Sequence, residues 1–156
     1  MATLFEFEGR WRVARRIDDR MAGRAGRFEG VVTFAPDGEG LTCREVGELT
    51  FEGGTPFAAT RTYLWRQGDR GIEVHFEDGR FFHRIGPDQA PVAQHWCDPD
   101  DYRVAYDFTL WPDWFKILLL SRSISRRVEP PTRLCETSRP STERMALRTC
   151  SALRRR

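Results

Sequence analysis

The sequence predicts an all-β domain, an antiparallel barrel or sandwich, on three observations. Residues 9–110 divide into short runs rich in β-branched and aromatic side chains. Pro, Gly and Asp punctuate these runs at regular intervals, as turns require. No apolar stripe of helical period and normal helix length crosses the region.

The elements follow in order. GRWRVARRI (9–17) is the first strand. Side chains alternate across a strand, so Trp11, Val13, Arg15 and Ile17 share one side and Arg10, Arg12 and Arg16 the other. RMAGRAG (20–26) reads as a turn or loop, and AGRFEGVVTFA (25–35) as a strand closed by PDGEG. GLTCREVGELTF (40–51) runs to EGGTP, FAATRTYLWR (57–66) to QGD, and GIEVHFE (71–77) to Asp78-Gly79. GRFFHRI (79–85), PVAQHWC (91–97) and DYRVAYDF (101–108) complete eight expected strands. WFKILLLSRSIS (114–125) reads as one more strand or a short buried segment. Residues 127–156 are rich in Arg, Ser, Thr and Pro and show little apolar periodicity. They are expected to form an irregular basic tail, with ERMALRTCSALRR as a frayed helix at most. The domain proper is therefore expected at 1–126.

With 156 residues the chain is long enough for one domain with a real core. A formal net charge of +2 supplies no global field toward nucleic acid or an anionic membrane. The basic residues are arginines except for one, Lys116. No apolar run approaches the length of a membrane-spanning helix, and MATLFEFEGRW lacks the pattern of a secretion signal. Cys43, Cys97, Cys135 and Cys150 have no CxxC spacing, which argues against a zinc knuckle or a thioredoxin-like site and fits a reduced, cytoplasmic protein.

The hairpins set the faces. Asp-Gly between alternating runs signals a two-residue loop. With Asp78 and Gly79 as that loop, Ile72, Val74, Phe76, Phe81, His83 and Ile85 share one apolar face. Glu73–Arg84 and Glu77–Arg80 form opposite-charge pairs on the other face, and His75 points outward with them. A Gly68-Asp69 loop pairs Trp65 with Ile72, Tyr63 with Val74 and Arg61 with Phe76, which turns Arg61, Tyr63 and Trp65 inward. A four-residue loop, Asp98 to Asp101, pairs Cys97 with Tyr102 and His95 with Val104. His95, Cys97, Tyr102 and Tyr106 then also face inward. An interior this polar needs partners for each group or a ligand to meet them.

Gly9-Arg10-Trp11 at the head of the first strand resembles the Gly-x-Trp signature of lipocalins and other calycins. Together with GRWRVARRIDDR, GRFEGVVTFAPDG, TRTYLW, FEDGRFFH and HWCDPDDYRVAYDF, it is similar to an uncharacterised bacterial family of lipocalin-like barrel domains of unknown function, over residues 6–114. The resemblance implies an up-and-down calycin-like antiparallel barrel in which Trp11 plugs one end and stacks on an arginine from a late strand. After Trp114 the chain departs from the family pattern, as a frameshifted or divergent C-terminus would. That atypical tail leaves the arginine partner and the closure of the barrel without an evident source.

Several chemistries can be weighed on these residues. His83, His95 and Cys97 offer a His2Cys set but no fourth ligand, so no metal is expected. Cys97 and His95 lie about 7 Å apart along one strand face, too far for direct activation of a thiolate. No nucleophile elbow, phosphate loop or HExxH motif is present, and the cofactor is unknown from the sequence. RWRVARR has an outward basic face of the solvated kind, so no nucleic-acid or membrane partner is expected. The reading that remains is a small, partly apolar, anionic ligand inside the barrel. Arg61 would meet the anion, and Tyr63, His83, His95, Tyr102 and Tyr106 would orient the molecule. Trp65, Phe76 and Phe81 would form the apolar walls. The alternatives are an enzyme using His83 and the tyrosines as acid and base, and a barrel filled by its own side chains.

Overall fold

A computed structural model describes residues 3–19, 22–86, 93–97, 100–108, 111–112, 114–122 and 144–155. After a short 3-10 turn, Leu4–Phe7, ten strands follow: β1 (Gly9–Asp19), β2 (Arg24–Pro36), β3 (Gly40–Phe51), β4 (Phe57–Gly68), β5 (Gly71–Phe76), β6 (Phe81–Ile85), β7 (Ala93–Cys97), β8 (Asp100–Asp107), β9 (Trp114–Arg122) and β10 (Arg144–Arg155). They form one antiparallel sheet in the order β6-β5-β4-β3-β2-β1-β10-β9-β8-β7. Every neighbour is next in the chain except β1 and β10, which pair and bring the two ends of the meander together. The sheet curls around a buried face. Its two ends, β6 and β7, share no ladder among the described residues, so the barrel is open along that seam.

The expected strands 9–17, 25–35, 40–51, 57–66, 71–77, 79–85, 91–97 and 101–108 correspond to β1 to β8, with ends moved by a few residues. The candidate at 114–125 is β9. The C-terminal expectation needs correction. Within the supposed irregular tail 127–156, residues 144–155 form β10, an inner strand of the sheet between β1 and β9. Ser151 and Leu153 are buried on its inner face, Arg154 is on the outer face, and Arg155 shares the inner parity at the strand's end, opposite Trp11.

Three hairpin registers differ from expectation, each in an instructive way. The β5–β6 connection is a three-residue loop, Glu77 to Gly79, and not the two-residue Asp78-Gly79 turn. The Phe76 amide donates to the Arg80 carbonyl and the Gly79 amide to the Phe76 carbonyl. Gly79 sits at φ +86°, the left-handed conformation this loop form places on glycine. The extra residue offsets the strands by one near the loop, so His75 faces Phe81. A bulge at Phe82 then absorbs the offset, and Val74–His83, Glu73–Arg84 and Ile72–Ile85 pair as the sequence predicts. Phe81 is therefore not an inner wall. It is 43 % exposed, and Phe82 is buried in its place against Tyr63 and Phe76.

The β4–β5 and β7–β8 hairpins slip by two residues. Trp65 faces Val74 and Tyr63 faces Phe76, while His95 faces Tyr102 and Cys97 faces Asp100. A two-residue slip keeps every side chain on its face, so Tyr63 and Trp65 remain inward and buried.

One end of the barrel is closed by rings. Phe7 from the 3-10 turn meets Phe34, Trp65 and Trp114 at centroid distances of 5.9, 5.1 and 5.6 Å. Trp11 is fully buried below them, and its indole N–H donates to the Phe7 carbonyl at 2.7 Å. The guanidinium of Arg155, on β10, lies 5.6 Å from the Trp11 ring centroid, within cation–π range. Arg155 also donates to the Glu8 carbonyl at 3.2 Å. The arginine over the Trp11 ring thus comes from the last strand, inside the stretch that the sequence reads as an irregular tail.

Candidate ligand cavity

Away from the aromatic end the inner face changes character. Arg15 on β1 lies beside Ser151 on β10, Ser151 beside Lys116 on β9, and Lys116 beside Tyr106 on β8. Four adjacent strands thus present one polar row inward. Each position follows from alternation: Arg15 keeps the parity of the buried Trp11 and Val13, and Lys116 that of the buried Trp114.

Arg15 is fixed on two sides. Its Nη2 donates to both carboxylate oxygens of Glu45 at 2.8 Å, and its Nε donates to Ser151 Oγ at 2.6 Å. Glu45 and Ser151 are both buried. Burial works against the Glu45 charge, but the charge and hydrogen bonds of Arg15 outweigh it and hold the carboxyl below its usual value. The ammonium group of Lys116 lies 5.0 Å from the Tyr63 ring centroid and 5.8 Å from that of Tyr106. Burial lowers Lys116 to a pKa of about 8 from 10.5; Glu45 and Cys43 oppose the shift, while Arg15 and Arg61 add to it.

Above this row lies a cavity of about 310 Å³. Arg15, Glu45, Ser151, Lys116 and Tyr63 form its floor, and Arg61 and Asp19 its polar rim. Ile17, Phe28, Leu49 and Phe51 supply apolar walls. Gly47 makes room for one of them: a Cβ there would stand 2.7 Å from the Phe28 ring. A sliver of about 10 Å³ continues below the row, lined by Cys43, Phe34, Trp65 and Trp114. Burial pushes the Cys43 thiol far up, which removes it as a nucleophile.

The sequence-predicted residues divide between three places. Arg61 and Tyr63 line the cavity, joined by a hydrogen bond of 3.2 Å from Arg61 Nη1 to the Tyr63 hydroxyl. Arg61 is exposed at the mouth, because β5 ends at Phe76 and the slipped register leaves Arg61 beyond it; the expectation of a buried arginine is corrected accordingly. His83, Tyr106, Trp65 and Phe76 lie in packed core and are not among the residues lining the cavity. His83 is 1 % exposed and its Nε2 lies 2.8 Å from the Tyr106 hydroxyl. That bond joins β6 to β8 across the open seam. The side chains of His95, Cys97 and Tyr102 lie outside the described residues.

Sequence reasoning missed Glu45 and Lys116 and left Arg15 out of the site, although it stood on the apolar face of the first strand. In LTCREVGEL the alternation Leu41, Cys43, Glu45, Gly47, Leu49 places a carboxylate on an apolar face, which is the signal for Glu45. Among the described residues no helix is long and apolar enough to cross a membrane.

No curated protein and no solved structure matches the chain. A family match covers residues 7–118, from the 3-10 turn into β9, and includes the cavity residues of β1 to β4 and Lys116. The chain belongs to that family, described as a family of unknown function (DUF6314).

Proposed function

We propose that the barrel binds a small, partly apolar, anionic molecule in the cavity above the Arg15–Ser151–Lys116 row. One observation carries this reading. An interior cavity of about 310 Å³, at the lower end of the size range of ligand pockets, combines Phe28, Phe51 and Leu49 walls with convergent cationic groups. Arg15 is held by Glu45 on the cavity floor, and Arg61 at the mouth and Lys116 on the floor line the same space and supply the positive charge that meets an anion. Phe28 and Tyr63 supply flat apolar contact. A calycin-like role, with Trp11 and Arg155 sealing one end and the other end admitting the ligand, is consistent with this arrangement. The free Cys43 thiol suits a reducing, cytoplasmic setting. The acid–base alternative is less well supported, since His83 bonds Tyr106 in the core and does not line the cavity.

The test is a melting-temperature titration with octanoate, 4-methylbenzoate and octanol. The two carboxylates are expected to raise the melting temperature in a saturable way, and octanol much less. In Arg61→Ala the carboxylate effect should fall toward that of octanol. Equal effects of octanoate and octanol would remove the anionic part of the reading, and no saturable effect of any of the three would remove the cavity as a binding site.

A further inference from the structure

Lys116 is the only lysine in a chain whose other basic side chains, apart from three histidines, are arginines. It faces inward from β9 and lines both the cavity and the sliver beneath it. A lysine used for surface charge would stand with the arginines of the outer faces; this one stands over two tyrosine rings, next to a carboxylate. The ammonium is a poor nucleophile and the free amine a good one, so a buried lysine that gives up its proton readily is suited to covalent chemistry with carbonyl groups.

We infer that Lys116 forms a Schiff base with the carbonyl carbon of an aldehyde bound in the cavity, the aldehyde carrying an anionic group that Arg61 meets. This rests on the cavity-binding reading above and names its ligand class. The step balances without any oxidant or reductant. The Lys116 ammonium releases a proton to solvent; the amine lone pair then bonds the carbonyl carbon as the C=O π pair moves to oxygen, and a proton passes from nitrogen to that oxygen, giving a neutral carbinolamine. The carbinolamine hydroxyl takes up one proton from solvent, replacing the one released, and leaves as water while the nitrogen lone pair forms the C=N bond. The product is a protonated imine and one water, with the charge of the original ammonium retained. The tyrosine hydroxyl of Tyr63 and the carboxyl of Glu45 line the same cavity and are placed to carry the protons. Glu45 also serves as counter-ion to the imine. The groups facing Lys116 from neighbouring elements are Glu45, Cys43 and Tyr63, with Arg15 and Arg61 as the opposing charges and Tyr106 beside it on β8. A pKa of about 8 leaves an appreciable fraction of free amine at neutral pH, which an ordinary lysine does not have.

The composition makes the experiment clean, because the N-terminal α-amine is the one competing amine. The full chain is incubated with 4-formylbenzoate and sodium cyanoborohydride at pH 7 and pH 9, and adducts are mapped by mass spectrometry. A single reduced adduct on the Lys116 peptide is expected, forming at least tenfold faster than the α-amine adduct at pH 7. The rate should follow a titration near pH 8, and excess 4-methylbenzoate, which binds but cannot react, should slow it. Lys116→Arg, which keeps the positive charge but offers no amine, should abolish the adduct. An adduct confined to the α-amine overturns the inference. If 4-methylbenzoate still shifts the melting temperature in that case, cavity binding stands and only the covalent step is lost. If the shift is absent as well, both readings fail together. Should Lys116→Arg fail to fold, the wild-type competition and pH profile decide alone.

Discussion

At one end of the barrel Trp11, Phe34, Trp65 and Trp114 fill the space between strands; at the other, the same strands carry Arg15, Glu45, Arg61 and Lys116 around a cavity. The two regions share their backbone. Arg15 follows Trp11 on the inner face of β1, and Lys116 follows Trp114 on the inner face of β9. What differs is volume and charge. Indole rings reach across the interior and touch one another, whereas charged side chains must keep partners and cannot pack edge to edge. A single barrel thus has one end that holds the fold and one that accommodates something else, and substitutions should separate the two.

The largest effect is expected at the aromatic end. Trp11→Ala removes a fully buried ring, the hydrogen bond to the Phe7 carbonyl and the seat of Arg155. A loss of about 3–5 kcal/mol is expected from the cavity it leaves, measured by urea unfolding. Arg61→Ala at the cavity mouth should cost well under 1 kcal/mol, as exposed substitutions do. Equal losses at the two sites would erase the distinction between the ends.

The Arg15–Glu45 pair is the next largest. Glu45→Ala leaves a largely buried guanidinium without its carboxylate and should cost about 3 kcal/mol, whereas Arg15→Met with Glu45→Leu should recover most of it. The pair also has a pH signature. The Glu45 carboxyl is held below 4.5 in the folded protein. Its contribution is therefore complete above about pH 4.5 and is lost as pH falls through the lower, folded value. Acid unfolding followed by fluorescence should show a steeper loss below pH 4.5 in wild type than in Glu45→Gln. Identical slopes would mean that the pair does not stabilise the fold.

How far these features are legible in the sequence depends on parity. β1 to β8 were readable because turns and alternation coincide, and inner faces survived wrong loop lengths because two hairpins slipped by an even number of residues. The odd slip at Glu77–Gly79 would have reversed His83, but the Phe82 bulge cancels it; no local signal announces a bulge between two phenylalanines. Phe81 and Phe82 were exchanged for that reason. Lys116 was hidden because Trp-Phe-Lys-Ile-Leu-Leu-Leu has no polar alternation to fix its face. β10 was hidden because its described inner side chains, Ser151, Leu153 and Arg155, give little apolar contrast with Ala152 and Arg154. Its pairing with β1 is a long-range property that local pattern cannot show.

A smaller effect is expected at the seam between β6 and β7. Tyr106→Phe deletes the hydroxyl that lies 2.8 Å from His83 Nε2, keeping the ring. The cost should be about 1–2 kcal/mol, since a buried ring nitrogen loses its partner. Hydrogen exchange should rise on β6 and β8 and stay unchanged on β1 and β2. Uniform acceleration would mean that the bond has no special role at the seam.

The smallest effect contrasts the turns of the two ends. At the aromatic end Asp37, between β2 and β3, accepts from the Thr42 hydroxyl at 2.6 Å, from the Glu39 and Gly40 amides, and from Arg66 at 2.9 Å. These bonds, that of Thr42 foremost, lower its pKa from 3.8 to about 2 against the opposing pull of burial. At the cavity end Asp78 bonds only the backbone and side chain of Arg80 in the described structure, on an exposed loop. Thr42→Val should raise the Asp37 pKa toward 3.8 and leave Asp78 unmoved, as NMR titration of the carboxyl carbons can show. Because the folded value is depressed, stability from Asp37 is complete above pH 3.8 and declines as pH falls through about 2. The variant should therefore differ from wild type by a few tenths of a kcal/mol at neutral pH, the scale of a surface change, and converge with it as Asp37 becomes protonated. An Asp37 pKa that stays near 2 in the variant would assign the shift to Arg66 and the turn amides. The rigidity of the closed end would then extend through β4 to its turns and not stop at its rings.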